Sequence, residues 1–267
     1  MSTAEPLWTP DAGRQAGSNL AAFAAYLAKV QGSGPLKTYA DFHGFSVRQP
    51  EKFWGALWDF AKIKSSKRGE AVLVDGTKMP GARFFPDARL NYAENLLVKN
   101  DDTPALIFRG EDKVRKKMSW RELNNAVARL HHAFAKAGLK PGDRVAAIVP
   151  NMPETIVAFL AVTSLGGVWS SCSPDFGERG ILDRFGQIEP RFLVACDGYY
   201  YNGKTIPIGN KVAAVLKELP SVEETVIIDY IGQATDISRT MPRAVAYEDY
   251  ISRKELEPIK FAQLPFD

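Results

Sequence analysis

The 267 residues carry 45% hydrophobic and 24% charged side chains, a balance that excludes a disordered or fibrous chain and suits a globular protein. A compact chain of this length buries about 75% of its unfolded surface, so neither disulfides nor a metal is needed to hold it. The 34 Lys and Arg against 31 Asp and Glu leave a net charge of +3, too slight to announce a nucleic-acid partner.

The opening MSTAEPLWTP leads into no apolar signal core, and no later apolar run approaches the ~18 residues that cross a membrane. A cytoplasmic protein without a membrane partner is expected. The first hundred residues are rich in aromatics and punctuated by Gly and Pro, in AAFAAYL, TYADFHGFS and EKFWGALWDFAKI, and predict a helical N-terminal cap over 1–100. Phe53, Trp54, Leu57, Trp58 and Phe60 have near-helical spacing and read as core. His43, in Asp41-Phe42-His43-Gly44, reads as the support of a turn. FFPDARLNYAENLL predicts a turn at Pro86-Asp87 and then a short helix. The basic stretches Lys62, Lys64, Lys67, Arg68 and Lys113, Arg115, Lys116, Lys117 read as solvated surface.

From Thr103 the pattern becomes α/β. Ala105-Leu106-Ile107-Phe108 and the stretch up to Trp120 predict a hairpin with its turn near Gly110. Ser119 and Glu122 stand in capping-box relation ahead of a helix whose Leu123, Val127, Leu130 and Phe134 share one face. His131 lies beside that stripe and His132 toward solvent, both structural. Gly138 suits the left-handed end of the helix and Pro141-Gly142 the turn that follows. Val145–Val149 reads as a strand buried on both faces. Asn151 is placed to cap a helix that Pro153 and Glu154 open and Gly166-Gly167 end. Strand VWSSCS, a helix bearing Ile181, Phe185 and Ile188, strand Phe192–Ala195, helix KVAAVLKEL and strand Thr225–Ile228 follow. This alternation predicts a mostly parallel sheet flanked by helices over 101–267. Cys172 and Cys196 lie in strand-like runs without a CxxC pattern or a histidine cluster, so they read as buried thiols; no metal site is implied.

One pattern demands a trial. Gly198 to Thr205, GYYYNGKT, fits the phosphate-loop motif GxxxxGK[ST] after a predicted strand, with Asp229 at the end of VIID as a possible magnesium-side acid. That motif needs a helix to begin at its Lys-Thr, so that the helix amides face the phosphates. Pro207 pushes Ile206 toward an extended conformation and delays the helix to Asn210 at the earliest. A phosphate-loop nucleotidase therefore stays as an alternative, and the absence of GxGxxG after any strand disfavours a dinucleotide oxidoreductase.

TPALIF and SWRELNNAVARLHHAFAKAGLKPGDRVAAIVPNMPETIVAFLAVTSLGGVWSSCSPDF are similar to the opening of the large domain of adenylate-forming enzymes. FHGFSVRQPEKFWGALWDFAKI, ARFFPDARLNYAENLL and SSCSPDFGERGILDRFGQIEPRFLVACDGYYYNGK resemble the acetoacetyl-CoA synthetase family more closely than the acetyl-CoA synthetases. The resemblance implies a ligase that joins acetoacetate to AMP with ATP and magnesium, then passes the acyl group to CoA. It also implies that this chain is an N-terminal portion. The family's Ser/Thr/Gly-rich phosphate loop, its aromatic-x-Thr-Glu segment, its ribose-binding Asp and its C-terminal Lys do not occur in these residues. The chain alone is then expected to be inactive and to hold no cofactor tightly, its partner being the missing C-terminal remainder.

The residues that the resemblance carries over face CoA. Ser173, Pro174, Asp175 and Phe176 match the loop beside the pantetheine tunnel, with Pro174 and Asp175 in place of glycines. Lys204 falls where acetyl-CoA synthetases hold a base near the CoA nucleotide phosphates, and Tyr201 replaces a second such base. An exposed loop lysine and, for Asp175, a helix N-cap are the structural readings of the same residues. Two further functions stay open: a non-catalytic binding module of the same fold, and a CoA ligase for another short-chain acid.

Overall fold

A computed structural model describes residues 7–32, 34, 36–251 and 257–266. The chain divides into two compact units, Met1–Arg89 with Pro265–Asp267, and Leu90–Leu264. Among the described residues no helix is long and apolar enough to cross a membrane.

The first unit is helical, as its sequence predicts: α1 (Ala12–Ala16), α2 (Asn19–Gln31), α3 (Tyr39–Arg48) and α4 (Pro50–Phe60), followed by the short antiparallel pair β1 (Leu73–Val74) and β2 (Arg83–Phe84). Ser18 Oγ caps α2 by accepting from Ala21 N at 3.1 Å, and Pro50 opens α4, where a missing amide costs nothing. Phe23, Leu27, Phe45, Phe53 and Ala56 form a small core. Phe23 meets Phe42 and Phe53 edge-on at 5.8 and 5.5 Å, the arrangement that aromatic quadrupoles favour. Of the aromatic stripe in α4, Phe53 and Trp58 are buried, while Trp54 stays 39% exposed. The turn expected around His43 does not form. Thr38 and Asp41 make a reciprocal capping box, and the helix it starts runs through Gly44, whose intrinsic penalty is only ~1 kcal/mol. His43 stacks on Tyr39, one turn earlier in that helix.

The chain continues through β3 (Arg89–Leu90), α5 (Tyr92–Leu96), the hairpin β4 (Pro104–Gly110) and β5 (Val114–Ser119), and α6 (Trp120–Lys136). Next come β6 (Arg144–Ile148), α7 (Pro153–Ser164), β7 (Val168–Cys172), α8 (Glu178–Phe185) and β8 (Phe192–Cys196). A second hairpin, β9 (Gly198–Tyr201) and β10 (Lys204–Pro207), precedes α9 (Gly209–Lys217), β11 (Glu224–Ile228), α10 (Ala234–Thr240), β12 (Ala244–Ala246), α11 (Tyr247–Tyr250) and β13 (Leu264–Pro265). Strands β12, β11, β8, β6 and β7 lie side by side in that order, every pair parallel. Each parallel step needs a crossover, which explains the helix between successive strands. The strand order reverses beside β6, the place where open sheets of this kind leave a crevice outside their carboxyl ends.

Most local signals act as their chemistry requires. Ser119 and Glu122 form the capping box of α6, and Leu123, Val127, Leu130 and Phe134 are buried. Gly138 takes φ +83°, which lets Leu139 N reach Phe134 O at 3.0 Å and close the helix end. Asn91 caps α5 through Oδ1 and donates through Nδ2 to the carbonyls of Thr163 and Ala262, both at 2.9 Å. Asn151 does not cap α7. Met152 holds that position with a buried side chain and no capping bond, because its thioether fills the core while Pro153 removes one of the amides a cap would serve. Helix α8 stops at Phe185, so Ile188 packs on the core from beyond it.

His131 is buried in α6, its Nδ1 2.7 Å from Ser164 Oγ. That hydroxyl donates to Ala161 O at 2.6 Å, so its hydrogen is used and the imidazole Nδ1–H must be the donor. Burial, with His132 beside it, lowers the His131 pKa to about 4. The unfolded histidine, near 6.5, binds the proton more readily than the folded one. Its contribution is therefore complete above pH 6.5 and lost as pH falls from 6.5 toward 4. Chemical denaturation should show about 2–3 kcal/mol less stability at pH 4.5 than at pH 7.5 from this group, and the His131→Gln variant should lack that component.

Candidate functional site at the carboxyl edge of the sheet

The strands end in register, Ile148 opposite Cys172 and Ala195, and Ile228 opposite Cys196. The loop Ser173–Phe176 and the β9–β10 hairpin carrying Tyr201 and Lys204 consequently both leave the same edge. In the loop Pro174 is buried, Ser173 and Asp175 are exposed, and Phe176 is half-buried against the core, with the Arg184 guanidinium 4.5 Å from its ring centroid. Asp175 is not the cap of α8. Gly177 holds that position and no side chain caps the helix, because the turn-in of Phe176 delays the helix start by two residues beyond the aspartate.

The hairpin settles the phosphate-loop pattern. Tyr201 pairs with Lys204 and Tyr200 with Thr205 in an antiparallel ladder, joined by Asn202 and Gly203 at φ +50° and +73°, the two left-handed residues that a tight hairpin turn requires. Lys204 and Thr205 are in a strand, and α9 starts at Gly209, one residue before the expected limit but well past the Lys-Thr pair. The loop that would wrap phosphates does not exist, so the nucleotidase reading is overturned. Asp229, its candidate magnesium-side acid, accepts from Ala234 N at 3.3 Å and lies against Asp197. Lys204 is exposed, and Tyr201 is 67% exposed.

Asp197 is fully buried at the root of the hairpin. Its carboxylate accepts from Tyr230 N at 2.9 Å, Ile231 N at 3.0 Å and Gln233 N at 2.7 Å. Burial raises its pKa and the Asp229 carboxyl adds to the rise, against the lowering from those amides. Burial likewise pushes the Cys172 thiol up to about 11 and Cys196 up to about 12; both are neutral and unreactive at ordinary pH, as their strand positions imply. Among the described residues no group of three His, Cys, Asp or Glu side chains is arranged to hold a metal.

These features meet known proteins along the whole chain. Residues 94–256 match the family model described as AMP-binding enzyme, and residues 39–96 match the one for the acetyl-coenzyme A synthetase N-terminus. The chain belongs to the AMP-binding enzyme family. It is 47% identical over 266 residues to an acetoacetyl-coenzyme A synthetase of Rhizobium meliloti (strain 1021), covering 100% of this chain and 40% of that protein. It is 35% identical over 272 residues to an acetoacetyl-CoA synthetase of Gallus gallus, covering 97% and 40%. The solved acetoacetyl-CoA synthetase from Streptomyces lividans superimposes with a TM-score of 0.89 at 37% identity, over 98% of this chain and 40% of that one. This AMP-binding enzyme chain thus spans about 40% of the length of these relatives.

The sequence does not mark Lys211 as part of this edge. Lys211, in the first turn of α9, donates from Nζ to Pro174 O at 2.8 Å and Phe176 O at 2.9 Å. An ammonium shared between two carbonyls on one loop holds that loop's backbone in a single shape. In the sequence Lys211 is only the first residue of an amphipathic helix, and no spacing tells which carbonyls its ammonium will find. Lys211→Met keeps the aliphatic stem and removes the donors. It should speed amide hydrogen exchange in 173–177 roughly tenfold, the equivalent of about 1.4 kcal/mol of local stability, with α6 and β6 unaffected. Unchanged exchange in that loop would refute the pinning role.

Proposed function

We propose that this chain serves in a cytoplasmic acid–thiol ligase that activates acetoacetate with ATP to acetoacetyl-AMP and transfers the acetoacetyl group to CoA. The observation that carries the reading is the match of the whole chain, helical unit included, to acetoacetyl-CoA synthetases at up to 47% identity. In the first step an acetoacetate oxygen attacks the α-phosphorus of ATP and pyrophosphate leaves. In the second the CoA thiol, losing its proton, attacks the acyl carbonyl and AMP leaves. The groups that stabilise phosphoryl charge in the first step belong to sequence patterns that do not occur in these residues. Magnesium enters as the ATP complex.

The role of this chain is on the CoA side. Lys204 is a compact charge suited to a phosphate of the CoA nucleotide, beside Tyr201, where acetyl-CoA synthetases carry a second base. Ser173, Pro174, Asp175 and Phe176 line the pantetheine path. That both segments leave one edge of the sheet supports the assignment, since a ligand of CoA's length could touch both. A neighbouring substrate is favoured by one observation: a malonamoyl-CoA synthetase of Penicillium aethiopicum is 33% identical over 242 residues. A second short carboxylic acid bearing a carbonyl at C3 is therefore the alternative substrate.

Two measurements test the proposal. ATP–pyrophosphate exchange with acetoacetate should be absent from the purified 267-residue chain, and measurable exchange would show that the adenylating groups lie within it. In an NMR titration with CoA, Lys204→Ala should weaken binding about fivefold, with a smaller effect on 3′-dephospho-CoA. Equal losses for the two ligands would remove Lys204 from the 3′-phosphate.

A further inference from the structure

The tip of the β9–β10 hairpin is tied to the tip of the β4–β5 hairpin by one side chain. Glu111, the first residue after β4, accepts from Asn202 N at 2.5 Å through Oε1 and from Gly203 N at 2.9 Å through Oε2. Two consecutive left-handed residues turn their amides to one side, and such a pair of amides is a small anion cradle; here the anion is a carboxylate of the chain itself. Glu111 has φ +50°, an unfavourable conformation for a residue with a Cβ. The approach of the two hairpins is built in elsewhere too. Tyr230 lies against Phe108 of β4 and Tyr200 of β9, with ring centroids 6.1 and 5.2 Å away. A Cβ on Gly110 would come 2.1 Å from the Tyr230 hydroxyl. The other acid of the turn, Asp112, pairs with Lys113 at 3.6 Å. Among the described residues the Lys204 ammonium has no ion-pair or hydrogen-bond partner.

We propose that Glu111 is a positioning residue for the phosphate end of CoA: by bridging the Asn202 and Gly203 amides it fixes the hairpin tip from which Lys204 is presented. This rests on the CoA reading of Lys204. The carboxylate binds the two amides and forms no ion pair with Lys204, whose charge is left to the ligand. Charge alone makes the opposite prediction. Removing an anion close to Lys204 should strengthen binding of a phosphate ligand, whereas loss of the positioning bond should weaken it.

The experiment compares the wild-type chain with Glu111→Gln and Glu111→Asp, each 15N-labelled and titrated with CoA. Gln keeps the length and one acceptor oxygen but loses the second acceptor and the charge. Asp keeps the charge but is one methylene short. In Glu111→Gln the Asn202 and Gly203 amide signals should move upfield and exchange faster. CoA affinity should fall about three- to tenfold with the melting temperature unchanged, and Glu111→Asp should recover part of the loss. Equal or tighter CoA binding by Glu111→Gln overturns the inference and leaves the CoA reading intact. If CoA moves no hairpin signal in the wild-type chain, the CoA reading itself fails. That result is told apart because the wild type is then silent, while the Asn202 and Gly203 signals still report the Glu111 contact.

Discussion

Where a parallel sheet ends, the chain leaves each strand with amides that the ladder no longer satisfies, and at this edge a single buried carboxylate takes up three of them. Asp197 receives the amides of Tyr230, Ile231 and Gln233. Its own amide donates to Ile228 O at 3.1 Å, and its carbonyl accepts from Ile208 N at 3.0 Å. One residue therefore joins the end of β8, the loop after β11 and the start of α9. A buried carboxylate without such bonds would cost several kcal/mol. Even with them its pKa is raised, by burial and by the Asp229 carboxyl. The hairpin that carries Lys204 begins at the next residue, Gly198, where a Cβ would sit 2.3 Å from Ile231 Cδ1 and 2.7 Å from Ile206 O. The root of the hairpin is thus fixed by Asp197 and by the space that only glycine leaves, and its tip by Glu111.

The other loop of the edge is held on a different principle. Ser173–Phe176 has buried Pro174 and half-buried Phe176 as apolar anchors and Lys211 as a cationic one, so the backbone between them is fixed from both sides. Burial pushes the Cys172 thiol, immediately before the loop, up to about 11, so it is neutral at ordinary pH. A thiol in that state is a poor nucleophile. The loop is thus anchored by two apolar side chains and one ammonium, with Ser173 and Asp175 left exposed.

What was legible in the sequence was what local chemistry decides. The capping box of α6, its buried stripe, the left-handed Gly138 and the alternation of strand and helix all rest on residues within a few positions of each other, and they predict the parallel sheet. The misses arise where the tertiary context overrides a local preference. Asn151 has capping chemistry, but Met152 takes the position with its side chain buried. Asp175 stands before a helix that Phe176 delays. His43 sits among residues that favour a turn, yet the Thr38–Asp41 box starts a helix over them. Glu111, Asp197 and Lys211 were not visible as anchors because their partners are distant in sequence. Glu111 reaches amides 91 and 92 residues away, and no periodicity marks such a pairing.

The phosphate-loop pattern shows why a lysine's chemistry follows from the backbone around it. In a phosphate loop the glycine-rich amides are free and point inward, and the lysine adds its charge to theirs. In Gly198–Thr205 the tyrosines and Pro207 favour extended backbone, and the residues flanking the turn enter the ladder of β9 and β10. The two turn amides are taken by Glu111. The extended strands do not curl their remaining amides round one point, so the same eight residues that spell a nucleotide cradle present Lys204 as a single point charge near the hairpin tip. A point charge can hold a peripheral phosphate but cannot stabilise a phosphoryl group in transfer, which needs several donors converging on one position. The hairpin thus lacks the converging donors that phosphoryl transfer requires.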